Sequence, residues 1–391
     1  MTAGGKDRAV VAIAGMGLMG ASLGMALRSA ALESGRSFEV RGWNRTYEVT
    51  ERAARAGAVD RAFRDLEDAI EGCDFVFIAT PVSTVVELAI RAAKAAPDGC
   101  IVSDVGSVKA RIVRDVERAI PSGKHFIGGH PMCGSELSGL EAARADLYKG
   151  ATWVLTPTET TDSQALADLS GVVSETGAKV LAVRPDEHDR FVGVVSHLPH
   201  VVAAALMDFV SRKASSEAAL AKLAAGGLRD VTRIAAGSPE IWTDILTWNG
   251  EAVVEALEEL QKRLGEVKEW LAGSDAVRLK TFLLEARAAR NEFFVKREAK
   301  GAFWEVAVAI EDRPGALAQV TTLVGQRGIN ISDVTITHPV EAGSGGAGLL
   351  RLTIEGEDEA IAAGQALREA GFRASVRPQS PPLDDDSDRR S

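Results

Sequence analysis

The segment AVVAIAGMGLMG, residues 9–20, joins an apolar run typical of a buried β-strand to a glycine-rich turn. A stretch rich in Ala, Leu and Met follows and predicts a helix. The turn matches G-x-G-x-x-G, a pattern that has meaning only between a strand and a helix, and both flank it here. Gly15 permits the tight turn, Gly17 lets the backbone approach a pyrophosphate, and Gly20 lets the helix pack on the strand. The segment therefore predicts the first unit of a dinucleotide-binding sheet.

Further strand-like runs alternate with helical stretches through roughly residue 185. Near-continuous apolar strands separated by helices predict a mostly parallel sheet covered on both faces, which is a Rossmann-type α/β fold. The later predicted strands are Phe38–Trp43, Phe75–Ala79, Cys100–Ser103, His125–Ile127, Thr152–Leu155 and Lys179–Val183.

Two changes of pattern divide the rest of the chain. Residues 186–298 show long helical periodicity, which predicts an all-helical domain, and helical domains appended to such sheets often carry the dimer interface. Residues 302–377 follow the order β-α-β-β-α-β and predict a ferredoxin-like unit. Residues 378–391 have the composition of a disordered tail. With residues 1–185 as the dinucleotide-binding domain, the chain is predicted to hold three domains and a tail.

The composition is that of a globular protein with a sizeable core, since 46% of the residues are hydrophobic and 26% are charged. A net charge of -10 argues against nucleic acid or an anionic membrane surface as a partner. Cys73, Cys100 and Cys133 lack the paired spacing of a disulfide framework, so a reducing cytoplasm is the expected location. We expect no apolar run of membrane-spanning length, and the N-terminus lacks the apolar core of a signal peptide.

The residues after the second predicted strand bear on the choice between NAD and NADP. An NAD site usually places Asp or Glu there to bind the ribose 2′-hydroxyl, whereas this chain has Asn44, Arg45 and Thr46. Arg45 suits a 2′-phosphate and its two neighbours can donate hydrogen bonds to it, so NADP is favoured and NAD is the alternative. Thr80 and Pro81, at the end of a later strand, are expected beside the cofactor. The predicted cofactor-binding residues are Gly15, Gly17, Leu18, Met19, Gly20, Asn44, Arg45, Thr46, Thr80, Pro81, Val105 and Gly106.

Polar side chains follow two further strands and recur in the helical region. Ser107 and His130 both come just after predicted strand ends, where open α/β sheets bind their ligands. A histidine beside a serine at that edge suits hydrogen bonding to a substrate hydroxyl. His197 and His200 can share one helix face, and Arg233 is a natural bidentate partner for a carboxylate. The chain has no H-E-x-x-H pattern or paired cysteines, so we predict no metal site.

Several motifs occur in an order that resembles one enzyme family. They are GMGLMGASL (15–23), DVGSVK (104–109), FIGGHPMCGSE (126–136), EHD (187–189), SHLPH (196–200), RDVTRIA (229–235) and GSPEIW (237–242). Over residues 9–298 the chain resembles the prephenate dehydrogenase family of tyrosine biosynthesis. The C-terminal unit resembles an ACT domain, an amino-acid-sensing module, through DRPGALAQV (312–320) and GINI (328–331).

The resemblance implies NAD(P)-dependent oxidative decarboxylation of prephenate. The C4 carbinol carbon would pass a hydride to the nicotinamide and the ring carboxylate would leave as CO2, which gives 4-hydroxyphenylpyruvate. By motif position, neutral His130 would accept the hydroxyl proton, and Ser107 would orient both His130 and the hydroxyl. These two residues are the predicted catalytic pair.

The same resemblance implies how the substrate is held. Arg233 would bind a substrate carboxylate with help from the helical histidines. His188 and Asp189 match positions that shape or gate the pocket, with a structural polar network as the alternative. The predicted substrate-binding residues are Arg233, His200, His197 and Glu136.

For the C-terminal unit the resemblance implies regulation. ACT-like units usually pair and bind an amino acid between them, so we expect a homodimer and feedback inhibition by tyrosine. The alternative is a dimerisation module without a ligand. The positions that match an effector site are Asp312, Pro314, Gly315, Leu317, Asn330 and Ile331.

Three other functions stay open on the sequence. Arogenate dehydrogenase is the nearest, because arogenate differs from prephenate only in its side chain. Other β-hydroxyacid dehydrogenases share the glycine-rich start and the Asn-Arg-Thr, but they use a lysine of the helical domain that we do not find in place of SHLPH. A dinucleotide-binding sensor without turnover would lack His130 or Ser107, and both are present.

Overall fold

The computed structural model describes residues 8–34, 37–133, 139–295, 303–311, 315–331, 333–337 and 347–378. The chain forms two compact units, Met1–Leu264 and Gly265–Ser391, which are described separately. The predicted division into three domains stays a prediction. Glu136, Asp312 and Pro314 lie outside the described residues, as does the predicted tail beyond Pro378.

The first unit is built on a sheet of eight strands in the order β3-β2-β1-β4-β5-β6-β7-β8. Strands β1 to β8 are Arg8–Ala14, Ser37–Trp43, Arg61–Phe63, Phe75–Ile78, Ile101–Asp104, His125–Pro131, Thr152–Thr156 and Lys179–Ala182. Helices α1 to α6 are Leu18–Ser34, Tyr47–Arg55, Leu66–Ile70, Val82–Ala95, Ala110–Glu117 and Ser163–Glu175. Neighbouring strands are parallel except β6 and β7, which confirms the predicted mostly parallel α/β fold.

Apolar side chains on both faces of the sheet explain why its strands are visible in the sequence. In β1, Val11 and Ile13 belong to one core cluster, and Ala12 and Ala14 belong to the cluster on the other face. This is the pattern of a parallel sheet between two layers of helices. The edge strand β3 was not predicted, because its three residues are all at least partly exposed and form no apolar run.

The rest of the first unit is helical, as predicted. Helices α7 to α11 are Pro185–Val192, Leu198–Ala214, Ala218–Leu223, Gly226–Thr232 and Pro239–Trp248, and α12, Gly250–Ala272, begins in this unit and runs past its last residue, Leu264. A π-helical turn, Gly193–His197, joins α7 to α8 without a break. A 3₁₀ turn, Arg233–Ala236, follows α10.

The π-helical turn decides which side chains share a face of this long helix. In an uninterrupted α-helix, His188 and His197 would point about 180° apart, because each residue turns by about 100°. The wider turn holds one extra residue, which sets the following segment back by about 100°. His197 and His200 thereby come to the side of the helix that carries His188, and all three are buried.

By length and composition alone, Pro185–Ala214 is one described helix apolar enough to cross a membrane. The helix meets this criterion by its mean hydropathy, whereas the sequence expectation concerned an uninterrupted apolar run; α7, the π turn and α8 form one continuous helix of 30 residues. Polar side chains break up the apolar run in the sequence without ending the helix. One of them, Asp189, accepts backbone hydrogen bonds from Lys109 and Ala110 at the start of α5, which ties the helix to the sheet.

The second unit contains a separate antiparallel sheet of four strands in the order β10-β11-β9-β12. Its elements in chain order are α13 Ala276–Arg290, a π turn Asn291–Val295, β9 Phe303–Glu311, α14 Ala316–Gly325, β10 Asp333–Thr337, β11 Ala347–Glu355, α15 Glu357–Glu369 and β12 Arg373–Pro378. The order from β9 to β12 confirms the predicted ferredoxin-like unit. Val306, Val308, Leu350 and Leu352 are fully buried between the sheet and its helices.

Candidate active site

A cleft of about 600 Å³ lies where β1, β4, β5 and β6 end, and residues of the π turn and α11 line its other side. Parallel strands end at this edge, so the loops that follow them converge there. The predicted residues that line the cleft are Gly17, Leu18, Met19, Thr80, Pro81, Val105, Gly106, Ser107, His130 and His197. The sequence motifs that were separated along the chain therefore meet at one place.

The glycine-rich turn fits a dinucleotide pyrophosphate. Gly15 has φ 106°, and a Cβ atom there would collide with the carbonyl oxygen of Ala79. A Cβ atom on Gly20 would collide with the carbonyl oxygen of Gly15. A Cβ atom on Gly17 would meet nothing within 4 Å, because this glycine faces the open cleft. Gly15 and Gly20 are therefore needed by the fold itself, whereas Gly17 leaves room for a ligand.

This difference predicts opposite outcomes for two alanine variants. We expect Gly20→Ala to lower the free energy of unfolding by about 1–3 kcal/mol, because the methyl group overpacks a backbone contact. We expect Gly17→Ala to keep its stability and to bind the dinucleotide about tenfold more weakly, a loss of about 1.4 kcal/mol. Urea denaturation and fluorescence titration with the reduced cofactor measure the two effects. Equal loss of stability in both variants would contradict the assignment of Gly20 to packing and of Gly17 to cofactor binding.

The residues after β2 lie apart from the cleft lining. The side-chain oxygen of Asn44 accepts a hydrogen bond from the Met16 backbone N–H at 3.3 Å, and its amide donates to the Thr46 carbonyl at 3.3 Å. Asn44 therefore braces the glycine-rich turn, where the sequence had suggested a donor to the 2′-phosphate. Arg45 and Thr46 are exposed at the carboxyl end of β2.

A chain of three hydrogen-bonded side chains ends at the cleft. His130 Nδ1 lies 2.8 Å from His188 Nε2, and His188 Nδ1 lies 2.8 Å from Asp189 Oδ1. The carboxylate can only accept, so His188 carries its proton on Nδ1, and its Nε2 accepts from His130 Nδ1–H. Neutral His130 therefore keeps a lone pair on Nε2. A residue 58 positions away in the sequence thus fixes the tautomer of a histidine that lines the cleft.

Asp189 is itself held by the start of α5. The backbone N–H groups of Lys109 and Ala110 donate to its two carboxylate oxygens at 2.7 and 2.9 Å. The Lys109 ammonium forms a fully buried ion pair with Asp104. Asp104 also accepts the backbone N–H groups of Gly106 and Gly129, at 2.8 and 3.2 Å. One buried network therefore fixes the loop after β5, the end of β6 and the Asp189 carboxylate.

Burial sets the protonation states in this region. It lowers the pKa of His130 well below its ordinary value, and the neighbouring His188 and Lys109 lower it further. His130 is therefore a neutral base at physiological pH. Burial also raises the pKa of the Cys133 thiol to about 11, which keeps this residue of the cleft lining protonated and argues against a nucleophilic role.

His197 has the opposite tautomer to His130. The Asn249 amide nitrogen lies 2.8 Å from the Asp189 carbonyl oxygen and 2.9 Å from His197 Nδ1. The carbonyl can only accept, so the amide nitrogen is correctly placed, and its second hydrogen goes to His197 Nδ1. His197 therefore carries its proton on Nε2 and can donate a hydrogen bond to an oxygen in the cleft.

Buried neutral histidines make the stability of the fold depend on pH. Burial lowers the pKa of His197 from 6.5 to about 4. Between these two pH values the unfolded chain therefore binds a proton at His197 and the folded chain does not. The contribution of neutral His197 to the free energy of unfolding is fully present above about pH 6.5, and it is lost as the pH falls toward the pKa of the folded state. We expect the free energy of unfolding to fall between about pH 6.5 and pH 5, and less steeply in His197→Asn. Urea denaturation across this range measures the effect. Identical pH dependence of the free energy of unfolding in the wild-type protein and His197→Asn would show that His197 does not cause it.

Some predicted residues are placed differently from their expected roles. His188 is the hydrogen-bonded partner of the His130 ring, and among the described residues no hydrogen bond joins Ser107 to His130, so the catalytic role of Ser107 stays a prediction. His200 stacks on Trp242, with ring centroids 3.6 Å apart, and does not line the cleft. Arg233 is exposed and is also outside the lining.

The structure adds residues that sequence reasoning did not single out. They are Asp104, Lys109, Asn249, Trp242 and Ser196. Asp104 and Lys109 stand at the two ends of DVGSVK, Ser196 begins SHLPH and Trp242 ends GSPEIW, so the motifs contained a signal for four of them. Asn249 stands in no motif, and only the folded chain brings it to His197.

Three segments of the chain match family descriptions. Residues 25–182 match "Prephenate dehydrogenase, nucleotide-binding domain" and residues 184–285 match "Prephenate dehydrogenase, dimerization domain". Residues 305–370 match "ACT domain".

Individual proteins and crystal structures that resemble the chain belong to the same family. Prephenate dehydrogenase of Bacillus subtilis is 30% identical over 359 residues, which cover 91% of this chain and 95% of that protein. The crystal structure of prephenate dehydrogenase from A. aeolicus in complex with hydroxyphenyl propionate and NAD+ superposes with a TM-score of 0.68 and 35% identity, and covers 73% of this chain and 98% of that one. Synechocystis arogenate dehydrogenase has a TM-score of 0.64 and 30% identity, with 73% and 99% covered.

Proposed function

Because the chain belongs to the prephenate dehydrogenase family and is an NAD(P)-dependent oxidoreductase, we propose that it converts prephenate to 4-hydroxyphenylpyruvate with a preference for NADP. The observation that carries the proposal is the His130–His188–Asp189 chain, which leaves a lone pair on His130 Nε2 at the cleft. A neutral base at this place suits an alcohol that must lose its proton as it is oxidised.

In this mechanism His130 Nε2 accepts the proton of the substrate C4 hydroxyl. As the imidazolium forms, His130 Nδ1–H stays hydrogen-bonded to His188, and the negative charge of Asp189 stabilises the pair. The nicotinamide, when bound, supplies the hydride acceptor, and the glycine-rich turn, Thr80 and Pro81 would hold the dinucleotide. Aromatisation drives the loss of CO2 and leaves a phenolate oxygen, to which His130 returns its proton, so the residues of the cleft mainly provide orientation and an acid–base group.

Hydrogen-bond donors of the helical segment suit the substrate's anionic groups. His197 Nε2–H is available on the cleft side, and Ser196 and Ser107 add hydroxyl groups to the lining. We assign carboxylate binding to His197, with Ser107 as a hydroxyl contact to the substrate. For Arg233, His200 and Glu136 the substrate-binding role stays a proposal that rests on their motifs.

The test is a matrix of initial rates with prephenate and arogenate, each with NAD and NADP. We expect the highest kcat/KM for prephenate with NADP. A higher kcat/KM for arogenate would make the chain an arogenate dehydrogenase, an alternative that the likeness to the Synechocystis enzyme supports. A higher kcat/KM with NAD would overturn the cofactor preference and leave the reaction unchanged. No turnover with either substrate would overturn the proposed function.

We propose that the chain acts as a homodimer. Residues 184–285 match a dimerization domain, and apolar side chains of α7, the π turn and α8 are exposed in the single chain. Phe191 is 49% exposed, Val195 is 64% exposed and Phe209 is 58% exposed, and a second copy would cover them. Sedimentation equilibrium should give twice the mass of the chain, and a concentration-independent monomer would contradict this.

We further propose that tyrosine inhibits the enzyme through the ACT unit. Of the predicted effector residues, Gly315 has φ 86° at the start of α14, and Leu317 is 39% exposed. Asn330 and Ile331 also lie in the described part, in the connection that leads to β10. Steady-state rates with and without millimolar tyrosine test this, and an unchanged rate would reject it.

The thiols support a cytoplasmic location, which we also propose. Cys73, Cys100 and Cys133 are unpaired, and burial raises the pKa of Cys73 to about 12. Protonated, buried thiols are compatible with a reducing compartment. Cell fractionation is the direct test, and recovery in the membrane or secreted fraction would contradict it.

A further inference from the structure

Two arginines follow the carboxyl ends of the neighbouring parallel strands β2 and β3. Trp43 of β2 pairs with Phe63 of β3, so the residues that follow the two strands start from the same level of the sheet. Arg45 lies two residues beyond Trp43, and Arg64 lies directly after Phe63. In a dinucleotide-binding sheet this edge holds the adenosine ribose, beyond the end of the second strand.

The Arg64 side chain has a defined position although it is exposed. Its guanidinium carbon lies 3.9 Å from the centroid of the Tyr47 ring, the first residue of α2. Its backbone carbonyl accepts a hydrogen bond from Trp43 Nε1–H at 3.0 Å. Stacking on an aromatic face leaves the edge of a guanidinium available for hydrogen bonds in its own plane. Tyr47, two residues after Arg45, therefore holds the Arg64 guanidinium, whose N–H groups donate no hydrogen bond to any residue that the structure describes.

Arg45 and Arg64 differ from the neighbouring arginines in their ion pairing. The neighbouring arginines are ion-paired: Arg41 and Arg61 with Glu39, Arg52 with Glu141, Arg55 with Glu51, and Arg91 with Glu67. Among the described residues no carboxylate lies within 4.0 Å of the Arg45 or Arg64 guanidinium. Two cations without carboxylate partners at one sheet edge favour an anionic ligand there, and a dianion more than a monoanion.

We propose that Arg64, held by Tyr47, shares the 2′-phosphate of NADP with Arg45. The geometry assigns Arg64 as a specificity-determining residue and Tyr47 as its positioning residue. Arg45 alone can form one bidentate pair, whereas a phosphate dianion offers three acceptor oxygens, enough for a second guanidinium. The inference rests on the proposed preference for NADP and explains how a site without a ribose-binding carboxylate would obtain it.

Binding of adenosine 2′,5′-bisphosphate and of 5′-AMP to the full-length protein, measured by calorimetry, tests the subsite without turnover. The two probes differ only in the 2′-phosphate. We expect Arg64→Ala to weaken binding of the bisphosphate roughly tenfold and binding of 5′-AMP less than about twofold. Tyr47→Ala should give a smaller loss of the same kind. Arg61→Ala is the matched control, because it removes a nearby arginine, at the start of β3, that is already paired with Glu39.

Fluorescence titrations with NADPH and NADH should follow the same pattern in each variant. If the wild-type protein favours the bisphosphate and Arg64→Ala behaves like Arg61→Ala, the role of Arg64 is wrong and the NADP preference stands. If the wild-type protein binds the two probes equally, both the NADP preference and this subsite are overturned. Equal weakening of both probes in Arg64→Ala would show an adenosine contact and would reject the 2′-phosphate assignment.

Discussion

Replacing His130 with Asn should lower kcat by roughly 10³-fold and leave dinucleotide binding intact, because removal of a general base costs about 10²–10⁴ in rate. The asparagine amide can reach a substrate hydroxyl but cannot take its proton. Its side chain also cannot serve as the base that His188 and Asp189 hold ready. Rates with prephenate and fluorescence titration with NADPH measure the two properties in the same preparation.

His125→Asn is the control for this variant, since His125 starts the same strand and lies away from the cleft. It should retain wild-type kcat. The pH profile gives a second test, because burial lowers the pKa of His130 and neutral His130 is the active form. Activity should persist below pH 6.5 and fall only as the pH drops through the lowered pKa. Turnover by His130→Asn within tenfold of wild type would overturn the assignment of the base.

Replacing Asp189 with Asn should lower kcat by roughly 10²- to 10⁴-fold, the scale seen when an aspartate that orients a catalytic histidine is changed in this way. The Asp189 carboxylate accepts three N–H groups, from Lys109, Ala110 and His188. An amide has one oxygen, so its NH₂ group must face at least one of these donors. If it faces His188, that ring takes the other tautomer and donates to His130 Nδ1, which places the His130 proton on Nε2 and removes the lone pair.

The same change should lower the free energy of unfolding by about 1–3 kcal/mol, because a buried donor loses its charged acceptor. Asp186→Asn is the matched control, since Asp186 lies one turn earlier in the same helix and pairs with exposed Arg184. It should change neither kcat nor stability. Loss of stability in Asp189→Asn with an unchanged kcat would show that His188 and Asp189 form only a structural network.

Much of the fold was predictable because its signals are local. The strand β1, the glycine-rich turn and α1 are adjacent in the chain, and each is marked by residue types that suit one conformation. The edge strand β3 has no such mark, since its residues are partly exposed. The antiparallel pairing of β6 with β7 was also invisible, because nothing in either strand alone records the direction of its neighbour.

A residue of the site was predictable where its own motif and its place after a strand were enough to identify it. His130 was identified from its place after β6, and the cleft lining contains it. Its partner could not be assigned from the chain, because the His130–His188 hydrogen bond joins residues 58 positions apart. The sequence placed Ser107 beside His130, and both line the cleft, but adjacency at a sheet edge does not show which side chain holds the ring.

The π-helical turn Gly193–His197 has a consequence for how this gene can change. Its extra residue rotates everything that follows, so His197 and His200 face the same way as His188 only while the count of codons in that turn is kept. Loss of a single in-frame codon there would swing both histidines about 100° away and spare every catalytic residue in the sequence. We therefore expect substitutions in this turn to be tolerated more easily than insertions or deletions, because only a change of length rotates the histidines that follow.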